Sequence, residues 1–322
     1  MNWLSFPAAV LPAVLGVFFL PAALANAEDL QFPSKTVALQ GLYTGDPGSP
    51  VTIPAILDLP GGTTGPVPAV IIGHGASGVG PDVAEVVKAA RAAGFATLFY
   101  DSLASRGLSS TRSGGAREVQ INQLADALAA FKLLAADPRI DSRKITYAGL
   151  SMGGGVSVML ASKTLQLREL GERRFAAHVA FYPGLHQAPP AGDLSGAPIL
   201  ILYAEKDDYQ KPDRIHAYID HVKKADPVAR ISSEAIAGAL HSFLNPRLPG
   251  RRWANDYVNG SLCPILLLDP GRHVMLTLRE GETTASDCKP TMGGSQGYSH
   301  TAAETALTKA MAFLKVRFSE RY

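Results

Sequence analysis

One serine of this chain stands in a pattern that is typical of a nucleophile. The run Gly149-Leu150-Ser151-Met152-Gly153 has the form G-x-S-x-G and lies between an apolar run that predicts a strand and a run that predicts a helix. In that context the serine hydroxyl is exposed on a sharp turn, and the helix N-terminus points toward a developing negative charge. The pattern therefore predicts Ser151 as the nucleophile and the backbone N–H of Met152 as one oxyanion donor. The competing interpretation is a serine in an ordinary glycine-rich turn.

A serine hydroxyl is a weak nucleophile, so this prediction also requires a base and a carboxylate that orients the base. Downstream of a nucleophile on a strand–turn–helix, the acid comes first along the chain and the histidine second. Asp207, in an acidic turn after the apolar run 199–203, is the predicted acid. His241, in a glycine-containing loop after the run 229–236, is the predicted base. Alternatives for these two roles remain at Glu205, Asp208, His273 and His300.

The loop Gly73-His74-Gly75-Ala76-Ser77-Gly78 has two interpretations. In the first, small residues let the backbone approach a substrate, the N–H of Ala76 is the second oxyanion donor, and His74 is structural. In the second, the loop is a G-x-G-x-x-G dinucleotide site with Asp101, at the end of the next strand, as the ribose ligand. A pyrophosphate needs the helix N-terminus directly after the loop, whereas Val79-Gly80-Pro81 intervenes here. The first interpretation is therefore favoured, and no cofactor is predicted.

Alternating apolar and amphipathic runs predict the elements that position these residues. Repeated strand–helix alternation predicts a doubly wound, mostly parallel sheet with helices on both faces, which binds ligands at the carboxyl ends of its strands. We expect one α/β domain over residues 28–322, without a large lid, and an irregular excursion over 244–299. The predicted strands are 51–59, 67–73, 95–100, 145–150, 176–181, 199–203 and 229–236, and the predicted helices are 81–93, 118–135, 153–163, 213–224 and 301–318.

The first 27 residues have the pattern of a secretory signal. They contain no charged side chain, and their apolar stretch ends in Ala25-Asn26-Ala27, directly before Glu28. An uncleaved membrane anchor is the alternative, but three prolines interrupt a run that is short for a bilayer span. We therefore expect cleavage between Ala27 and Glu28, a secreted or periplasmic protein, and no stable membrane insertion.

Composition excludes several classes of protein. With 47% hydrophobic residues the chain has the apolar content that a disordered protein lacks. Its 30 basic and 28 acidic side chains nearly balance, so no nucleic-acid partner is expected. Cys263 and Cys288 are the only cysteines, and an oxidising compartment would permit a disulfide between them, with two unpaired thiols as the alternative. No spacing of Cys and His predicts a metal site.

Taken together, these motifs resemble the dienelactone hydrolase family of α/β-hydrolases. The resemblance spans the chain from Val67 to His241, and the predicted C-terminal helix also fits. It implies the α/β-hydrolase fold and an esterase-type hydrolase with Ser151, Asp207 and His241 as its triad. The founding members differ from this chain, since their nucleophile is a cysteine and they lack the 244–299 excursion. The matching segments are His74-Gly75, Asp101-Ser102, Arg106-Gly107, Asp137-Pro138-Arg139-Ile140, Gly149-Leu150-Ser151-Met152-Gly153-Gly154, Phe181-Tyr182-Pro183-Gly184, Glu205-Lys206-Asp207-Asp208 and His241.

The sequence as a whole predicts a serine hydrolase that cleaves a small-molecule ester or lactone through an acyl-enzyme. Arg106, in a loop after a predicted strand, is a candidate for binding a substrate carboxylate, and the alternative is a structural arginine paired with Asp101. A catalytically inactive binding protein, a peptidase and an acyltransferase of the same fold remain alternatives, because a fold does not choose among them. The sequence indicates neither the acyl size nor the oligomeric state.

Overall fold

A computed structural model describes residues 27–319 of the chain, except 63, 113–114, 249, 262, 264, 270–273 and 278–289. The predicted signal over residues 1–26, His273 and Cys288 lie outside the described residues. Cleavage after Ala27 and the bond between Cys263 and Cys288 therefore stay predictions. Among the helices of the described ranges, none combines the length and the apolar content of a membrane span.

Strands and helices alternate along the described residues, as the apolar and amphipathic runs predict. The strands are β1 (Ala27–Thr36), β2 (Ser49–Asp58), β3 (Val67–Gly73), β4 (Ala96–Tyr100), β5 (Ile140–Leu150), β6 (His178–Phe181), β7 (Gln187–Ala188), β8 (Ile199–Ala204), β9 (Ile231–Ile236), β10 (Arg252–Asn259), β11 (Leu266–Asp269), β12 (Val274–Thr277) and β13 (Thr291–Gln296). The α-helices are α1 (Leu39–Thr44), α2 (Pro81–Ala92), α3 (Ala116–Ala136), α4 (Met152–Met159), α5 (Lys163–Leu170), α6 (Pro212–Ala225) and α7 (His300–Ser319), and a short 3₁₀ helix covers Ala104–Arg106.

The main sheet has eight strands in the order β1-β2-β4-β3-β5-β6-β8-β9. From β4 to β9 every neighbouring pair is parallel, whereas β1 and β2 are antiparallel additions at one edge. The predicted mostly parallel sheet is confirmed. Its parallel strands end at a common edge, where the turns after β3, β5 and β8 and the loop after β9 meet, and these segments carry the predicted site residues.

Helices cover both faces of this sheet, which explains why its central strands are continuous apolar runs. On β3, Ala69 and Ile71 contribute to the core that includes side chains of α3, whereas Val70 and Ile72 contribute to the core that includes α2 and α7. All four side chains are completely buried. The sheet thus holds its strand ends on a core that is packed on two sides.

The predicted irregular excursion over 244–299 contains regular structure. β10 and β13 pair antiparallel, with Arg252 opposite Gln296, and β11 and β12 form a second antiparallel pair. β11 also runs parallel to the short β7. The prediction of an irregular segment was wrong because β10 finds its partner far along the chain, and a local sequence pattern does not record such pairing.

Candidate active site

Ser151 lies on the sharp turn between β5 and α4. Its backbone has φ 51° and ψ −107°, a conformation that few non-glycine residues adopt and that the surrounding structure must enforce. Glycines make the turn possible. A Cβ at Gly149 would overlap the carbonyl oxygen of Gly153, and a Cβ at Gly153 would lie 2.5 Å from the carbonyl oxygen of Gly73. The G-x-S-x-G spacing thus reflects two close backbone contacts at this turn.

The side chains of Ser151, His241 and Asp207 form one hydrogen-bonded chain. Ser151 Oγ lies 2.9 Å from His241 Nε2, and His241 Nδ1 lies 2.8 Å from Asp207 Oδ2. An ionised carboxylate only accepts, so the neutral imidazole carries its proton on Nδ1 and presents an unprotonated Nε2 to the serine. Asp207 Oδ1 accepts the backbone N–H groups of Tyr209 and Gln210 at 2.9 and 3.0 Å. The arrangement can pass a proton from the hydroxyl to an imidazole that a buried carboxylate holds in place.

Other residues considered for these roles lie elsewhere or have other contacts. Asp208 directs Oδ1 to a backbone N–H of β13 at 2.8 Å, and Glu205 accepts a backbone N–H of the loop before His241 at 2.7 Å. His300 lies at the start of α7, where its Nδ1 is 3.2 Å from a tyrosine hydroxyl. Of the two neighbouring aspartates that the sequence left open, the structure thus brings Asp207 to the histidine.

Two backbone N–H groups beside Ser151 have no acceptor among the described residues. They belong to Met152 and Ala76, and both residues line the same cavity as the serine. The loop that carries Ala76 packs directly on the nucleophile turn, since a Cβ placed on Gly75 would lie 3.5 Å from Ser151 Cβ. The N-terminus of α4 is at Met152, so the positive end of that helix also lies at this point. The structure brings both predicted oxyanion donors to the nucleophile.

His74 and Asp101 make contacts that hold the backbone of their loops. The buried His74 ring donates from Nδ1 to the Gly75 carbonyl at 2.7 Å and accepts the Ser102 N–H on Nε2 at 3.2 Å. Its own carbonyl accepts the Gly153 N–H at 3.2 Å, which ties the loop to the nucleophile turn. Asp101 Oδ1 accepts two N–H groups of the turn that follows it, at 2.8 and 3.1 Å. These contacts agree with a structural His74 and occupy the carboxylate that a dinucleotide site would use for the ribose.

Arg106 was a candidate for binding substrate, with a structural arginine as the alternative, and the structure contradicts the candidate role and gives Arg106 a structural one. Its guanidinium binds Asp126 with two hydrogen bonds, Nη1 to Oδ2 at 2.8 Å and Nη2 to Oδ1 at 3.0 Å. The alternative partner, Asp101, was also wrong. Asp126 lies inside α3, where a fully buried carboxylate requires a paired cation. The remaining guanidinium N–H groups donate to Ser102 O, Lys35 O and Thr36 Oγ1.

Two tyrosine rings pack against the His241 imidazole. The centroid of the Tyr209 ring lies 4.9 Å away, and that of Tyr182 lies 5.2 Å away in an edge-on arrangement. Gly294 on β13 makes room for Tyr209, because a Cβ at that position would overlap the tyrosine ring. Neither ring was predicted as a site residue from the sequence. An aromatic residue near a strand end is most often part of the core, so its type alone gave no signal.

A cavity of about 440 Å³ opens at Ser151. Its lining includes Arg112, Arg117, His186, Tyr209, Gln210 and Tyr257, none of which was predicted as a site residue. Tyr257 and Val258 of β10, together with Gly260, also line the cavity, and this side of the cavity is called the outer wall. The wall contacts the loop of residues 73–78, which carries Ala76 and is called the oxyanion loop, since the Tyr257 hydroxyl lies 2.5 Å from Ser77 Oγ. In the described part of the chain, no group of three or more His, Cys, Asp and Glu side chains could hold a metal ion.

Comparison with known proteins agrees with this fold. Residues 53–317 match the model of the dienelactone hydrolase family. A dienelactone hydrolase-like promiscuous phosphotriesterase from metagenomic libraries is 17% identical, with a TM-score of 0.56 over 90% of this chain and 98% of that one. A candidate dienelactone hydrolase from Klebsiella pneumoniae subsp. pneumoniae is 15% identical, with a TM-score of 0.55 over 89% of this chain and 99% of that one. No curated protein matches the chain significantly.

These similarities support two different statements. At such low identity the two solved structures show that the fold is shared, and the predicted α/β-hydrolase fold is confirmed. The family match covers most of the chain and confirms the resemblance that the motifs indicated. This chain belongs to the dienelactone hydrolase family and is a carboxylic-ester hydrolase.

Proposed function

We propose that the chain hydrolyses a small-molecule ester or lactone through a covalent acyl-enzyme on Ser151. The observation that carries the proposal is the continuous hydrogen-bonded chain from Ser151 Oγ through His241 to Asp207, with distances of 2.9 and 2.8 Å. A hydroxyl next to a base that a buried carboxylate orients is an activated nucleophile. The N–H groups of Met152 and Ala76, which have no acceptor among the described residues, support the same chemistry because acyl transfer develops negative charge on oxygen.

In the first half-reaction, His241 Nε2 takes the hydroxyl proton while Ser151 Oγ attacks the carbonyl carbon. Asp207 holds the Nδ1–H tautomer and stabilises the imidazolium that forms. The oxyanion of the tetrahedral intermediate accepts hydrogen bonds from the N–H groups of Met152 and Ala76. When the intermediate collapses, the imidazolium gives its proton to the leaving alkoxide, and the acyl group stays on Ser151.

In the second half-reaction, water takes the place of the alcohol. His241 removes a proton from the water as its oxygen adds to the acyl carbon, and the same two N–H groups bind the oxyanion. Collapse of this intermediate breaks the bond to Ser151 Oγ, which recovers its proton from His241. The product is the free acid, and the enzyme returns to its initial state.

A matched pair of aspartate variants tests this proposal. Asp207→Asn should lower kcat for a simple ester about 10⁴-fold, because the amide favours the wrong tautomer of His241. Asp208→Asn changes the adjacent carboxylate, which contacts β13 and not the histidine, so its kcat should stay within about tenfold of wild type. Equal losses in the two variants would overturn the assignment of the acid. Activity close to wild type in Asp207→Asn would overturn the triad.

We also propose that the mature protein is a single domain of residues 28–322 that is exported to the periplasm or the medium. This is supported by the apolar run that ends in Ala25-Asn26-Ala27 and by the pair Cys263 and Cys288. Intact mass spectrometry of the exported protein should show loss of residues 1–27 and of the two hydrogens of a disulfide. A full-length mass would contradict cleavage after Ala27, and alkylation of both cysteines without reduction would contradict the proposed disulfide between Cys263 and Cys288.

A further inference from the structure

One polar pair on the cavity lining has no part in the proposed proton transfers. His186 and Gln210 line the cavity together with Ser151 and His241, and the Nε2 atoms of the pair lie 3.3 Å apart. Neither residue belongs to the hydrogen-bonded chain of the triad. The triad therefore leaves their remaining polar atoms unused.

The orientation of the Gln210 amide assigns the tautomer of His186. An amide nitrogen only donates, so His186 Nε2 accepts and the ring proton sits on Nδ1. Burial, with the positive charges of Arg214 and Arg117 nearby, lowers the pKa of His186 to about 3, so the ring is neutral at neutral pH. Nδ1–H has no acceptor among the described residues. His186 thus offers one unused hydrogen-bond donor.

Gln210 offers the complementary group. Its side chain is almost completely buried, and its Oε1 has no hydrogen-bond partner in the described part of the chain. Buried side-chain oxygens in proteins nearly always have a partner, so an unused one at a cavity calls for an explanation. The backbone N–H of Gln210 donates to Asp207 Oδ1 at 3.0 Å, which fixes the residue beside the triad.

His186 is fixed close to the nucleophile by its own segment. Gly184 N–H donates to the Ser151 carbonyl at 2.7 Å, and His186 N–H donates to the Gly184 carbonyl at 3.0 Å. Gly260, on the other side of the cavity lining, lies next to the edge of the His186 ring. A Cβ at that position would lie 3.0 Å from His186 Cε1 and 3.4 Å from Nδ1. Any side chain at residue 260 would therefore crowd the edge that carries Nδ1–H.

We propose that His186 Nδ1–H and Gln210 Oε1 form a hydroxyl-binding subsite, so that the preferred substrate is an ester with hydroxyl groups near the scissile bond, such as an ester of a polyol or of a hydroxy acid. Hydroxyls both accept and donate, and they match a donor and an acceptor on one lining. A plain alkyl group leaves both protein groups unpaired, and sites of this kind discriminate strongly against an analogue without the hydroxyl. The inference rests on the proposed Ser151 mechanism and names the substrate class for that site.

Two pairs of esters test the subsite, one for each side of the scissile bond. On the alcohol side, 2-hydroxyethyl butanoate is compared with propyl butanoate, and on the acyl side, 4-nitrophenyl 3-hydroxybutanoate is compared with 4-nitrophenyl pentanoate. For at least one pair, kcat/KM should favour the hydroxylated member by about 10-fold to 100-fold. Equal kcat/KM within both pairs would overturn the subsite and leave the mechanism standing.

Side-chain variants assign the discrimination to the two residues. His186→Leu and Gln210→Met should bring the kcat/KM ratio of the selected pair close to one, mainly by slowing the hydroxylated ester. His186→Asn keeps an N–H donor near the place of Nδ1 and should recover part of the ratio. The rate at which a fluorophosphonate labels Ser151 should fall by much less than kcat/KM for the hydroxylated ester, because the probe has no hydroxyl. Variants that slow both esters and the labelling equally would show a structural role and overturn the subsite.

Failure of the mechanism would look different. If wild type cleaves none of the four esters and Ser151 takes no label, the proposed serine chemistry is wrong and the subsite with it. If Ser151 is labelled but no ester is cleaved, the hydroxyl-binding subsite alone is overturned, because a nearby hydroxyl is then not what the site requires.

Gly260→Ala provides an independent test with a matched control. The added Cβ would crowd the His186 edge, so the hydroxylated ester should lose most of its advantage in kcat/KM. Gly65→Ala adds the same methyl group where nothing lies within 4 Å, and it should change neither ester. An unchanged preference in Gly260→Ala would contradict the orientation assigned to Nδ1–H.

Discussion

The nucleophile turn and the outer wall border the same cavity, but they are held in different ways. At the turn, Leu150 is completely buried and the glycines on either side of the serine contact neighbouring backbone. On β10, the Trp253 side chain is 57% exposed, and the strand pairs with β13 at a bulged register. Close packing at the turn fixes the geometry that proton transfer requires. The less packed wall is suited to change with the substrate, as expected for recognition elements carried on a rigid scaffold.

Ser151→Ala gives the largest expected effect and tests the chemistry of the turn. Without the hydroxyl no acyl-enzyme forms, so kcat for a simple ester should fall by at least about 10⁴-fold. The free energy of unfolding, measured with urea, should change by less than about 1 kcal/mol because the residue is small and lies at the cavity. Residual activity within about tenfold of wild type would mean that another residue is the nucleophile.

Arg106→Met and Arg112→Met compare an arginine that stabilises the domain with an arginine that lines the cavity. Arg106 pairs with a fully buried Asp126, so its loss should lower the free energy of unfolding by about 3–5 kcal/mol. Arg112 pairs at 3.4 Å with an exposed Asp256, and such pairs contribute about 0–1 kcal/mol. Because Arg112 lines the cavity, its variant should change KM instead. A large loss of stability in Arg112→Met, or a change of KM alone in Arg106→Met, would reverse this assignment of roles.

The pH dependence of stability compares two histidines with depressed pKa values. Burial lowers the pKa of His178, which lies on β6, to about 3. In the unfolded chain this histidine is protonated near pH 6.5. Its contribution to the free energy of unfolding is therefore complete above that pH and is lost as the pH falls toward 3. In this pH range, His178→Leu should reduce the slope of the free energy of unfolding against pH by up to about 1.4 kcal/mol per pH unit, as measured by urea unfolding.

His186, beside the outer wall, supplies the control for that measurement. Its pKa is also lowered to about 3, but local opening at the cavity would let it protonate without unfolding the whole domain. His186→Leu should therefore reduce the slope of the free energy of unfolding against pH by less than His178→Leu does. Equal slopes in the two variants would show that the cavity lining opens only when the whole domain unfolds.

Tyr257→Phe gives the smallest expected effect and tests the link between the wall and the oxyanion loop. It removes the hydroxyl that lies 2.5 Å from Ser77 Oγ, and loss of one such hydrogen bond costs about 1 kcal/mol. KM should rise by less than about fivefold while kcat stays the same. The double variant with Ser77→Ala should be no worse than either single variant. A tenfold fall in kcat would instead indicate that Tyr257 contacts the transition state.

Local patterns in the sequence predicted the turns and loops that carry the triad, because short runs of residues determine where those turns and loops lie. The glycines of the turn, the acidic residues after β8 and the loop before His241 lie at strand ends that short apolar runs mark. The choice between Asp207 and Asp208 was not local, because it depends on which carboxylate reaches an imidazole about 34 residues away in a parallel sheet.

The outer wall and Arg106 show where sequence patterns failed. Pairing of β10 with β13 joins distant segments, and Tyr257 reaches Ser77 across 180 residues of sequence. The partner of Arg106 lies inside α3, where a single aspartate gives no sign that it is buried. These features follow from tertiary packing, which overrides the local pattern that suggested an excursion without regular structure and an arginine free to bind substrate.

Labelling of the intact protein with a fluorophosphonate tests the central claim most directly, since it reports an activated serine without knowledge of the substrate. We predict a single adduct by mass spectrometry, located on Ser151 by peptide mapping. The adduct should be absent in Ser151→Ala, much slower in Asp207→Asn and unchanged in Asp208→Asn. A folded wild-type protein that takes no adduct, or an adduct on another serine, would contradict the account.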